Sequence, residues 1–97
     1  MRTLKKVKDI TKVFVEGKQR TIVDNVAIKT IDGTHGYVFA VSTKNFKRAV
    51  DRNRIKRLMR EEVKDVHPTM SVALIYVGKR IPKSLNFKKK LIELLSD

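Results

Sequence analysis

One segment, residues 47–66, constrains the fold of this chain more than any other. Its apolar residues recur at three- and four-residue spacing, which is typical of a helix that buries one face. The apolar stripe consists of Ile55, Leu58, Met59, Val63 and Val66. Pro68 follows and predicts the end of the helix, because a residue before proline disfavours helical backbone. The rest of the chain must therefore supply an apolar surface that covers this stripe.

Strand-forming segments precede the helix. β-branched residues are frequent in residues 21–31, which predicts a strand. One face of this strand would carry Ile22, Val26 and Ile28. Residues 32–36 contain two glycines and predict a turn, so residues 37–42 are expected to return as the second strand of a hairpin.

The remaining apolar segments predict an α+β fold. Residues 4–14 show helical spacing and end at Gly17, and a last helix is expected after Pro82. Residues 70–77 are apolar at nearly every position, which indicates a strand covered on both faces. This pattern, αββαβα, predicts a single domain over residues 1–97 in which helices pack on one sheet.

The charge of the chain limits its partners. Its 97 residues include 23 lysines and arginines but 10 acids, a formal net charge of +13. Such an excess repels itself and favours a polyanionic partner. The longest apolar stretch, residues 72–77, is far shorter than the ~20 residues of a membrane span. There is no cysteine and no secretory signal, so we expect a soluble, cytoplasmic protein without a membrane partner.

The positive charge is concentrated on the long helix. Between positions 44 and 60 Asp51 is the only acid, and the pairs 44/48, 48/52, 52/56 and 56/60 are all like-charged. Each such pair costs about 0.2–0.5 kcal/mol, so a merely solvated helix face is the weaker interpretation. A membrane-surface helix would leave its apolar stripe free. Because this stripe is needed for packing, the pattern favours nucleic acid.

The same region resembles a known family. Residues 40–61 closely resemble the signature of the bacterial ribonuclease P protein, with its core Arg-Asn-Arg-Ile-Lys-Arg intact from Arg52 to Arg57. The likeness includes the Leu-Lys-Lys opening, Val13-Phe14 and Gly17. The family's fold, αβββαβα on a four-stranded mixed sheet, is implied if residues 18–42 contain one more strand break.

The resemblance implies a division of labour. In this family an RNA subunit binds magnesium and cleaves precursor tRNA to free its mature 5′ end. The protein assists, with no catalytic residue, no metal ligand and no small-molecule substrate of its own. The implied contacts with the RNA subunit are Lys44, Lys47, Arg48, Arg52, Asn53, Arg54, Lys56, Arg57 and Arg60. A cleft between the first helix and the sheet would hold the single-stranded 5′ leader, at Ile10, Phe14, Val26 and Ile28.

Two departures from the family concern these sites. The family commonly has an aromatic residue at Ile10, and often another near Ile28, on which a base can stack for about 1–3 kcal/mol. It often has lysine at Thr43. Without the resemblance, Phe14 on an amphipathic helix would be interpreted as a core residue.

Other functions compete with this interpretation. His35 and His67 have no nucleophile or ligand nearby in sequence. Glu61, Glu62 and Asp65 could gather as a magnesium site of an autonomous nuclease, but structural ion pairing is favoured. A DNA-binding regulator would need a helix before its recognition helix, where this chain has a strand. The alternative that composition leaves open is a ribosomal-type structural RNA-binding protein.

Overall fold

A computed structural model describes residues 3–96, which form three helices and four strands in the order αβββαβα. The elements are α1 (Val7–Glu16), β1 (Lys18–Val23), β2 (Val26–Ile31), β3 (Gly36–Val41), α2 (Ala49–Val63), β4 (Ser71–Tyr76) and α3 (Lys88–Ser96). The α+β class and the mixed four-stranded sheet are confirmed. No helix within residues 3–96 has the length and apolar character needed to cross a bilayer.

The single strand predicted over residues 21–31 is two strands. They are joined by the turn Asp24-Asn25, and Asn25 adopts a positive φ of 69°. Asparagine tolerates this left-handed conformation better than most residues. The β-branched residues continue on both sides of the turn, so composition alone did not reveal the break.

The sheet order, β1-β2-β4-β3, corrects the predicted hairpin. β4 lies between β2 and β3, antiparallel to the former and parallel to the latter. Val72, Ala73 and Leu74 of β4 are all fully buried. A strand apolar on both faces belongs at the centre of a sheet, where it displaces the direct pairing of β2 with β3. The prediction of a doubly covered strand is confirmed.

The two faces of the sheet carry two separate cores. On one face Val26, Ile28 and Leu74 pack with the buried residues of α2 and with Leu91 of α3. On the other face Val13 of α1 packs with Leu4 and Ala73. The sheet therefore separates α1 from α2 and α3.

The apolar stripe of α2 is narrower than predicted. Ile55, Met59 and Val63 are fully buried, whereas Leu58 and Val66 are only half-buried. At 100° per residue, Leu58 points about 100° away from Met59, the middle of the buried set, and so lies at the flank of the stripe.

The three acids near the end of α2 have structural roles. The Glu62 carboxylate accepts hydrogen bonds from the backbone N–H groups of Phe87 and Lys88, at 2.7 and 3.2 Å, and so caps α3. Glu61 pairs with Lys64, and Asp65 pairs with Lys88. These contacts agree with the structural interpretation of the acids.

We predict that Ile55→Ala lowers the free energy of unfolding by about 2–5 kcal/mol, since it leaves a cavity in the buried core. Leu58→Ala should cost less, about 1 kcal/mol, because part of that side chain already contacts water. Urea unfolding followed by circular dichroism measures both. Equal losses would contradict the packing described for α2.

Candidate nucleic-acid interface

The basic residues of α2 and of the preceding segment, together with the neutral Asn53 between them, form a cationic front. We use this name for the set Lys44, Lys47, Arg48, Arg52, Asn53, Arg54, Lys56, Arg57 and Arg60. All are exposed except Arg52 and Lys56, which are half-buried. α2 packs its opposite side against the sheet, next to β3. The buried side of α2 is therefore fixed by the sheet, and the cationic front faces solvent.

Arg60 shows how a cation is held within this front. Its guanidinium carbon lies 5.5 Å from the centre of the Phe39 ring on β3. An arginine over an aromatic face is attracted by the ring's quadrupole, by about 0.5–1 kcal/mol at an exposed site. The contact orients Arg60 while its outer face stays open to a ligand.

Arg52 makes contacts within the protein. Its Nη1 donates hydrogen bonds to the carbonyl oxygens of Phe46 and Lys47, both at 2.8 Å. Charge-assisted hydrogen bonds of this length are among the stronger ones in proteins. This nitrogen is thus engaged by the segment before α2 rather than offered to a ligand.

Residues 42–48 are also held by their other contacts. Phe46 is 6% exposed, and its ring lies 6.0 Å from that of Tyr76. The Asn45 side-chain amide donates to the carbonyl of Gly78 at 3.4 Å. Gly78 itself lies against the Tyr76 ring, where a Cβ atom would meet the Tyr76 hydroxyl group. The segment therefore packs on the residues that follow β4.

This packing adds two cations that sequence reasoning missed. β3 and β4 are parallel and end together at the pair Val41 and Tyr76, so the segments that follow them leave from one edge of the sheet. Lys79 and Arg80 are exposed on the second of these segments. The signal in the sequence was a strand, a helix and a strand in succession, which commonly form a parallel pair.

The structure corrects two of the four residues predicted for a leader cleft. Val26 and Ile28 are fully buried, at 0% and 1% exposure, in the core formed with α2 and α3. They lie on the opposite face of the sheet from α1, because alternate residues of a strand point to opposite faces. Ile10 and Phe14 are half-buried on α1, beside Val13 and Ala73.

The residues of β2 that do face α1 are residues 27, 29 and 31, which alternate with Val26 and Ile28. Lys29 is paired in register with Ala73, a member of the α1-side core. Ala73 is in turn paired with Val38 on β3, which is half-buried in the same cluster. A surface that joins α1 to β3 across the sheet therefore contains Ile10, Phe14, Lys29 and Val38. We call it the α1 groove.

Lys29 fixes the end of α1 in this groove. Its Nζ donates to the carbonyl oxygen of Phe14 at 2.8 Å and lies 6.0 Å from the centre of the Phe14 ring. The last turn of α1 has no basic residue of its own. The ammonium group from β2 thus satisfies a terminal carbonyl and complements the negative end of the helix dipole.

Within residues 3–96, no three His, Cys, Asp or Glu side chains gather in a way that could hold a metal ion.

A family model described as Ribonuclease P matches residues 1–96. The ribonuclease P protein component of Chlorobium phaeobacteroides is 34% identical over 104 residues, covering 79% of this chain and 69% of that protein.

Two solved structures share the fold. The ribonuclease P protein of Staphylococcus aureus has a TM-score of 0.72 at 21% identity, covering 99% of this chain and 94% of that one. The protein from Thermotoga maritima has a TM-score of 0.70 at 21% identity, covering 98% and 96%.

We predict that Lys29→Met loosens the end of α1, because it removes a charge-assisted hydrogen bond from a terminal carbonyl. The expected loss of unfolding free energy is about 1 kcal/mol. Hydrogen exchange should also become faster at the Gly17 amide, which closes the last turn on Val13. Lys12→Met, on the exposed side of the same helix, is the control and should change neither quantity. An unchanged Gly17 exchange rate in Lys29→Met would contradict the role of Lys29 in fixing the end of α1.

Proposed function

The chain belongs to the ribonuclease P protein family, and on that premise we propose that it binds the RNA subunit and the precursor tRNA leader. In this assembly it assists the endonucleolytic cleavage that frees the mature tRNA 5′ end. The observation that carries the proposal is the cationic front, which lies on the exposed side of α2 and on the segment before it. A structural RNA-binding role without an enzyme is the weaker alternative, because it does not explain the family membership.

The charge and exposure of the front support binding to the RNA subunit. Arg54 and Arg57 are exposed, and the planar fork of arginine suits phosphate oxygens and base edges. Lys79 and Arg80 extend the positive surface at the edge of the sheet. A folded RNA that follows this surface would meet cations on both segments that leave β3 and β4.

We propose that the chemistry is carried out by the RNA with bound magnesium, and that the protein contributes charge and position. Magnesium prefers oxygen ligands and keeps several waters, so phosphate-rich RNA suits it well. The acids at the end of α2 are engaged in capping and ion pairing. The protein's cations would reduce the phosphate repulsion that divalent ions otherwise offset. The lack of cysteine fits a cytoplasmic location.

The α1 groove is the proposed site of the leader. It combines the Phe14 ring, on which a base can stack, with the ammonium group of Lys29 beneath it. Two of the three ammonium protons remain after the bond to the Phe14 carbonyl, and a leader phosphate can accept them. Because Lys29 is a point charge, it would favour the leader backbone over any particular base.

We predict that affinity for a bacterial ribonuclease P RNA falls steeply with salt. About six phosphate contacts would give a slope of roughly −5 in log affinity against log salt, by analogy with about −0.9 per phosphate on duplex DNA. Arg54→Ala or Arg57→Ala should reduce the steepness by about 1 without loss of fold. Arg20→Ala removes the same charge from β1, the strand at the far edge of the sheet from β3, and is the control. A slope near zero would contradict the proposal.

We predict that the protein stimulates cleavage at low magnesium more for a precursor tRNA with several leader nucleotides than for one with a single nucleotide. Phe14→Ala should shrink this leader-dependent gain, because the groove loses its stacking surface. Binding to the RNA subunit should remain nearly unchanged. Initial cleavage rates and filter binding measure the two effects.

Two controls accompany this experiment. Val15→Ala lies on the exposed side of the same helix, at 76% exposure, and should leave the leader-dependent gain intact. The protein without RNA should cleave nothing. Equal stimulation of long and short leaders would contradict the groove, and cleavage by the protein alone after ribonuclease treatment would contradict the whole proposal.

A further inference from the structure

We propose that Arg52 is a positioning residue of the cationic front rather than one of its phosphate contacts. Its guanidinium fixes the two peptide groups before α2, so that Lys47 and Arg48 face the RNA together with the helix. This inference rests on the proposed RNA-binding function and concerns how that surface is built.

The hydrogen bonds of Arg52 determine which peptide groups are fixed. Both donated hydrogens come from Nη1, and the acceptors are the consecutive carbonyls of Phe46 and Lys47 at 2.8 Å. These carbonyls belong to the peptide groups that lead directly into α2, whose N-cap is Arg48. Orienting two successive peptide planes fixes the directions of the side chains attached to them. The side chains of Lys47 and Arg48 are thereby held in fixed directions.

Electrostatics explains why the segment needs this tether. Residues 42–48 carry three cations and no acid, and they precede the positive end of a helix dipole. The N-cap Arg48 supplies no side-chain hydrogen bond to the helix. The hydrogen bonds from Arg52 take the place of the side-chain capping that often holds such a segment. Repulsion would move the cations apart. The Arg52 guanidinium instead holds the chain by binding to the partial negative charges of two carbonyl oxygens.

The other contacts of the segment act further upstream. Phe46 anchors it in the core, and Asn45 reaches the carbonyl of Gly78. Neither contact involves the peptide group between Lys47 and Arg48. The bond from Arg52 to the Lys47 carbonyl supplies that constraint.

Arg54 and Arg57 provide the contrast. Both are exposed, whereas Arg52 is half-buried with one nitrogen engaged by backbone oxygens. All three belong to the same basic pattern in the sequence. Loss of a phosphate contact removes one charge from the interface, whereas loss of a tether removes the alignment of several.

Double-mutant cycles on RNA binding separate these two roles. Lys47→Ala in the otherwise unchanged protein should weaken binding on the order of fivefold. In an Arg52→Ala background the same change should weaken binding less than twofold, because Lys47 is no longer aligned. Arg57→Ala is the matched control and should keep its full effect in both backgrounds. Arg52→Ala alone should reduce the steepness of the salt dependence by about 2 or more, against about 1 for Arg54→Ala.

Hydrogen exchange of the free protein supplies an independent readout. Arg52→Ala should accelerate exchange in residues 46–49, and Arg54→Ala should leave it unchanged. If Arg52→Ala fails to fold, Arg52→Met retains the packing of the side-chain stem and replaces it in both measurements.

The outcomes distinguish the positioning role from the proposed function. Additive losses in the Lys47 cycle, with a steep salt dependence in the unchanged protein, would overturn the role of Arg52 alone. A flat salt dependence in the unchanged protein would overturn the proposed RNA binding as well.

Discussion

β4 occupies the centre of the sheet and is covered on both faces. Val72 and Leu74 pack under α2 and α3, while Ala73 packs under α1. A strand of this kind needs a helix on each side, and its parallel pairing with β3 requires a crossover connection. α2 is that connection. The helix that carries most of the cationic front is consequently held against the sheet by the same core that β4 organises.

Self-repulsion is the cost that accompanies this arrangement, at a net charge of +13. The structure offsets part of it with backbone oxygens, in addition to the two ion pairs with carboxylates near the end of α2. Arg52 donates to the carbonyls before α2, and Lys29 donates to the last turn of α1. A carbonyl stabilises a cation without cancelling its charge. The protein therefore orders its cations while it preserves the positive potential that attracts RNA.

The sequence predicted the elements better than their arrangement. Local spacing was sufficient for the three helices and for the buried strand, because helical and extended periods are properties of neighbouring residues. The turn at Asp24-Asn25 depends on one backbone angle, and the pairing of β2 with β4 depends on residues 40 to 50 positions apart. Two of the four predicted cleft residues were placed on the wrong face for the same reason. Val26 and Ile28 were known to share a face, but which helix covers that face is a tertiary property.

The candidate site shows the same limit at the level of single side chains. Arg52, Arg54 and Arg57 are indistinguishable in a charge pattern, and the family signature includes all three. Only the structure separates the arginine that bonds to carbonyls from those that face solvent. Lys29 was missed because a lone lysine on a strand is usually solvated, and its role follows from where α1 ends. A cationic surface of this kind is therefore better described by the acceptors its residues already have than by the number of its charges.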